Sequence, residues 1–171
     1  SIFIKKTSPF SKIKLYIKIF VYYILLISKS GLMNDISNLK NITVLYVEDE
    51  KDLREVTSSI LQSFTKNQYI ATNGQEGYDL FLKHDSDIDL IISDINMPIL
   101  NGLEMTKKIK DINKNVPIIV TTAFSNIEYL LEAIDIGVDK YVLKPVDVSK
   151  LLQAMSQSLN YHELKDLYLD S

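Results

Sequence analysis

Five apolar runs recur along the chain, centred near Leu45, Ile70, Ile92, Ile119 and Val142 and spaced 22 to 27 residues apart. Between them the apolar positions take helical spacing, so the pattern is a strand and a helix repeated five times. The first helix is predicted from about Lys51 to Phe64, with Leu53, Val56, Ile60, Leu61 and Phe64 on one stripe. The second follows Asn73-Gly74 and should bury Tyr78, Phe81 and Leu82, whereas the third, after the Asn101-Gly102 turn, carries Leu103, Met105, Ile109 and Ile112. Ile127, Leu130, Leu131, Ile134 and Ile136 mark the fourth, ending at Gly137, where a left-handed cap needs no Cβ. The fifth begins near Val148 and carries Leu151, Leu152, Met155 and Leu159. Leu90-Ile91-Ile92 and Ile118-Ile119-Val120 lack polar alternation, as expected of central parallel strands covered on both faces. Gln68 to Ala71 is shorter and more polar and belongs at an edge. The expected architecture is α/β, a doubly wound five-stranded parallel sheet ordered 2-1-3-4-5, with a crevice beside strands one and three.

The strand ends carry the chemistry. Glu48-Asp49-Glu50 closes the first run, Asp94 the third, Thr122 the fourth and Lys144 the fifth. In a parallel sheet these ends share one edge, so acid, hydroxyl and ammonium groups distant in sequence meet. Clustered carboxylates repel one another and lose hydration, so a cation must compensate. Oxygen ligands without His or Cys favour a hard ion, and a few carboxylates that leave room for water suit Mg²⁺. Together with the Lys144 ammonium and the Thr122 hydroxyl, such a site can neutralise a phosphoryl group arriving on Asp94. Each feature has a plainer explanation: Glu48 to Asp52 as a helix-dipole complement, Thr122 as a strand former, Lys144-Pro145 as a turn and Asp94 as a loop cap. Their coincidence at successive strand ends argues for a site.

Composition narrows the field. The 171 residues make one domain with extra segments at its ends, and the absence of cysteine excludes disulfides, thiolate metal sites and a cysteine nucleophile. The net charge of -3 is uneven, because residues 1 to 32 hold six lysines and no acid, leaving 13 basic against 22 acidic residues, or -9, for Met33 to Ser171. So acidic a body is a poor general binder of nucleic acid. Between Ile13 and Ile27 only Lys14 and Lys18 interrupt apolar residues, and the unbroken core, Ile19 to Ile27, spans about 14 Å as helix, short of the ~30 Å hydrocarbon layer. The stretch meets Ser28-Lys29-Ser30-Gly31, and no small-residue cleavage site of the A-x-A kind follows. Residues 1 to 32 are therefore read as an upstream extension with Met33 as the natural start, rather than a membrane anchor. Residues 33 to 41 form a lead-in, 42 to 160 the domain and 161 to 171 a helical tail or linker.

Val44-Leu45-Tyr46-Val47-Glu48-Asp49-Glu50, Ile92-Ser93-Asp94-Ile95-Asn96-Met97-Pro98 with Gly102, Thr121-Thr122-Ala123 and Tyr141-Val142-Leu143-Lys144-Pro145 together resemble the receiver domain of two-component response regulators, a flavodoxin-like (βα)5 fold. The resemblance covers about Ile42 to Leu159. It implies that Asp94 is the phosphoacceptor, supplied by a sensor histidine kinase or a phosphotransfer protein. Mg²⁺ would be held by Asp49 and Asp94, by Glu48 mostly through water and by the Asn96 backbone carbonyl. Thr122 and Lys144 would hold the phosphoryl oxygens. Glu48 stands where the family often has Asp, and Lys144-Pro145 is expected to be cis. Thr122 and Tyr141 would form the switch, reshaping a face of helix four, strand five and helix five that pairs with itself or a partner. Phe124 is expected to shield the phosphoryl group from water. The implied protein is a cytoplasmic signalling domain that assists its own phosphotransfer and autodephosphorylation, with no direct nucleic-acid binding and no membrane span. A haloacid-dehalogenase-like phosphohydrolase would share the aspartyl phosphate, but it wants a second acid where Asn96 stands. An inert, receiver-shaped module would have lost a key residue, and none is missing.

Overall fold

A computed structural model describes residues 36 to 123 and 127 to 169. The proposed extension of residues 1 to 32, the start at Met33, and Phe124 lie outside the described residues. A 3-10 turn at Ser37–Asn41 leads into β1 (Thr43–Val47), α1 (Lys51–Phe64), β2 (Asn67–Ala71), α2 (Gly74–His84) and β3 (Leu90–Asp94). The chain continues through α3 (Gly102–Ile112), β4 (Ile118–Thr122), α4 (Ile127–Ile136), β5 (Lys140–Leu143) and α5 (Val148–Leu169). All the strand pairings are parallel and the order is β2-β1-β3-β4-β5, as the sequence predicts.

Strand side chains alternate between the two faces, so the central strands feed two cores. Val44, Tyr46, Ile92 and Ile119 pack with Leu61 of α1 and with Leu151, Leu152 and Met155 of α5. Leu45, Val47, Ile91, Ile118 and Val120 pack with Phe81 of α2 and with Leu103, Met105 and Ile109 of α3. Turn chemistry sets the helix starts. Asn73 caps α2 by accepting from the Glu76 N–H, and Asn101 with Glu104 forms a reciprocal capping box on α3. At the opposite, N-terminal edge of the sheet, aspartates satisfy the first strand donors. Asp89 accepts from the Thr43 N–H at 2.8 Å and Asp139 from the Ile118 N–H at 2.7 Å.

Helical periodicity overstates burial in places. Leu82, expected inside, is exposed, as is Ile112 at the end of α3. The larger departure is α4, where Ile127, Leu131 and Ile134 are 75%, 58% and 62% exposed and Ala133 is the buried residue. β5 is an edge strand, and its Tyr141 and Leu143 face outward beside that helix. No described helix is long and apolar enough to cross a membrane.

Candidate functional site

Register brings the predicted groups to one edge. Val47 at the end of β1 pairs with Ser93, Asp94 with Thr121, and Thr122 with Leu143, so the residues that follow each strand converge. Lys144 Nζ lies 2.9 Å from Asp94 Oδ2 and 3.1 Å from Glu48 Oε2, tying β5 to β3 and β1 across the sheet. Carboxylate oxygens of Glu48, Asp49 and Asp94 come within 4.8 Å of one another. Glu48 and Asp94 are 1% and 4% exposed, whereas Asp49 and Asn96 stand at the open side of the crevice.

Backbone constraints hold this arrangement. Ser93 Oγ donates to the Asp94 carbonyl at 2.8 Å, and the Ile95 N–H donates to Thr121 O. A Cβ on Gly102 would sit 2.0 Å from the Asp94 carbonyl oxygen, so α3 can start against the strand end only with glycine there. The Lys144 N–H donates to Thr122 O at 2.8 Å, and the Lys144-Pro145 peptide is cis, as the resemblance implies. Sequence reasoning passed over Arg54, the sole arginine of the chain. Its Nη1 donates to the carbonyls of Glu48 and Asp49 at 2.8 and 2.9 Å, fixing the acidic loop from the first turn of α1. The one arginine of the chain, four residues after the acidic loop ends, was the available signal.

The electrostatics leave the site short of positive charge. Burial pushes the Glu48 carboxyl above its usual range, more than the attraction of Lys144 pulls it down, and Asp94 adds repulsion. Burial works against the Lys144 ammonium too, yet its hydrogen bond and attraction to Asp94, then to Glu48, hold it above the ordinary lysine value. Beneath them the Tyr46 phenol is pushed strongly up by burial, although Thr57 hydrogen-bonds it. One ammonium against three carboxylates leaves two negative charges, and the ligand atoms are all oxygen. This donor set fits a hard divalent ion with room for water.

Thr122 stands beside this cluster with its hydroxyl donating to Ala123 O at 3.1 Å. Behind it lies an apolar hollow of about 250 Å³ lined by Ile95, Val120, Thr122, Leu130 and Tyr141, among others.

Comparison with known proteins identifies the family of this fold. The model of the response regulator receiver domain matches residues 44–156. This chain belongs to that family. The response regulator ArlR of Staphylococcus aureus is 36% identical over 124 residues, 72% of this chain and 55% of its own length. The chain thus spans about half the length of the curated relatives it matches. Among solved structures, the N-terminal domain of an uncharacterized protein from Wolinella succinogenes is 35% identical with a TM-score of 0.66, covering 72% of this chain and 98% of that one. A receiver domain protein from Clostridium thermocellum is 26% identical with a TM-score of 0.68, at the same two coverages. The chemotaxis response regulator CheY4 of Vibrio cholerae is 29% identical with a TM-score of 0.64 over 69% of this chain and 98% of its own. As a receiver domain the chain is a signalling component of a two-component system, a class that works with histidine kinases.

Proposed function

We propose that Asp94 accepts a phosphoryl group from the phosphohistidine of a sensor kinase or phosphotransfer protein. The observation that carries this reading is the Lys144 bridge to Asp94 and Glu48, with Asp49 at the open side of the same crevice. Mg²⁺ held by Asp49, Asp94, the Asn96 carbonyl and, mostly through water, Glu48 would supply the counter-charge for the transferring oxygens. An Asp94 carboxylate oxygen attacks phosphorus in line, the P–N bond breaks, and the leaving imidazole keeps the electron pair. Lys144 offsets the charge on one phosphoryl oxygen. Thr122 turns its hydroxyl from Ala123 O to another and so withdraws from the hollow behind it. Tyr141, exposed at the rim of that hollow, swings in to fill the space. Its movement reshapes the face of α4, β5 and α5, through which the domain pairs with itself or a partner in the cytoplasm. The domain's own groups also assist hydrolysis of its acyl phosphate.

The test is incubation with acetyl phosphate and Mg²⁺ followed by intact mass. The expected result is one phosphate adduct, absent in Asp94→Asn. Acetyl phosphate turnover without an adduct would instead indicate a phosphohydrolase, and no change an inert module.

A further inference from the structure

The end of the sheet opposite Asp94 holds a second cluster of ionisable groups. Asp139, just before β5, accepts from the Ile118 N–H with Oδ2, takes His162 Nε2 of α5 at 2.5 Å on Oδ1, and lies 3.6 Å from Lys110 Nζ. A hollow of about 510 Å³ opens beside this group and is lined by Lys110, Lys114, Lys140, Lys165 and Asp139. Four ammonium groups against one carboxylate make it a cationic site on an acidic protein, of net charge -3. Lys114, Lys140 and Lys165 form no ion pair among the described residues. Burial, followed by repulsion from Lys165, holds Lys110 below the ordinary lysine value in spite of Asp139.

Two further observations point to a ligand. Ser158, which lines the hollow, is 1% exposed and its hydroxyl has no hydrogen-bond partner among the described residues. His162 Nδ1 is likewise buried without one. Buried polar atoms ordinarily find partners, so a hydroxyl and a ring nitrogen left over at a lysine-lined hollow mark ligand-binding positions, the hydroxyl being the one that can donate to an acceptor. Tyr161 adds an exposed aromatic face at the rim, set edge-on to His162. Ser158, Tyr161, His162 and Lys165 all lie beyond the residues matched by the receiver model, so the site is a feature of this chain's long α5.

We propose that this hollow binds a small phosphorylated ligand of the nucleotide class. Its phosphates meet Lys114, Lys140 and Lys165, with a donor from the Ser158 hydroxyl, and its base stacks on Tyr161. Lysines act as point charges for phosphate oxygens, and the volume falls within the usual range for small-molecule pockets, roughly 300 to 1,000 Å³.

The test is calorimetric titration of the full chain with pyrophosphate and with ADP, in EDTA so that no metal nucleotide engages the Asp94 crevice. Both are expected to bind, ADP about tenfold more tightly because of base stacking. Tyr161→Ala should erase that advantage. Lys165→Glu should weaken both ligands by about tenfold or more, and so should Lys114→Glu, an exposed site with little risk to the fold. Lys83→Glu, an equal charge change on exposed α2, should leave binding unaltered. Absence of binding at millimolar ligand, or equal losses in Lys83→Glu and Lys165→Glu, would overturn the site, and equal affinity for pyrophosphate and ADP would overturn its nucleotide class.

Discussion

On its β3 side, strand β4 borders a crevice in which the buried charged groups are tied to one another. Asp94 and Glu48 share Lys144, Arg54 clamps the acidic loop, and Gly102 lets α3 press against the Asp94 carbonyl. On its β5 side the same strand borders a hollow of about 250 Å³ whose lining includes the exposed Ile127 of α4 and Tyr141 of β5, and α4 further exposes Leu131 and Ile134. The proposed receipt of a phosphoryl group requires fixed geometry, because misplaced charge forfeits stabilisation of the transferring oxygens. Passing the event on requires a surface able to repack at little cost. Thr122 lies on the boundary between the two.

Stability should expose the difference first. Leu152→Ala in the core under α5 is expected to cost about 2 to 5 kcal/mol, whereas Leu131→Ala on α4 should stay within about 0.5 kcal/mol. Urea denaturation of both variants checks this, and a large loss at Leu131 would remove the contrast. Phosphorylation kinetics should sharpen it. Lys144→Ala is expected to slow phosphate incorporation from acetyl phosphate by about a hundredfold, while Tyr141→Ala should leave that rate within about a factor of two. Next comes Gly102→Ala, whose methyl would displace the Asp94 strand end, with an expected loss of about 1 to 3 kcal/mol by denaturation.

The smallest effect concerns Glu76, at the start of α2. The Thr72 hydroxyl and N–H donate to its carboxylate and hold its pKa below the ordinary 4.5. The native state therefore favours the ionised form, so the contribution is present above pH 4.5 and disappears as pH falls through the lowered value. Stability curves of the parent and Glu76→Gln should accordingly converge in acid, with a small difference because the group is exposed.

The sheet order, the α1 limits and the polar residues at each strand end were legible because all three follow from local patterning plus parallel pairing. Helical spacing identifies a stripe but not what covers it, which is why Leu82 was expected inside and why nothing distinguished the α4 stripe from the buried ones. Arg54 escaped notice because its partners are backbone carbonyls, which carry no sequence signature. The contact between His162 and Asp139 joins residues 23 apart through the path of α5, and no motif announces it.

Borohydride trapping after treatment with acetyl phosphate and Mg²⁺ tests the central claim most directly, because it reduces an aspartyl phosphate to homoserine at the modified position. Peptide sequencing should find homoserine at position 94 alone, dependent on Mg²⁺ and absent when Asp49→Asn removes a ligand. Homoserine at another aspartate, or none under conditions where the parent remains folded, would contradict the account.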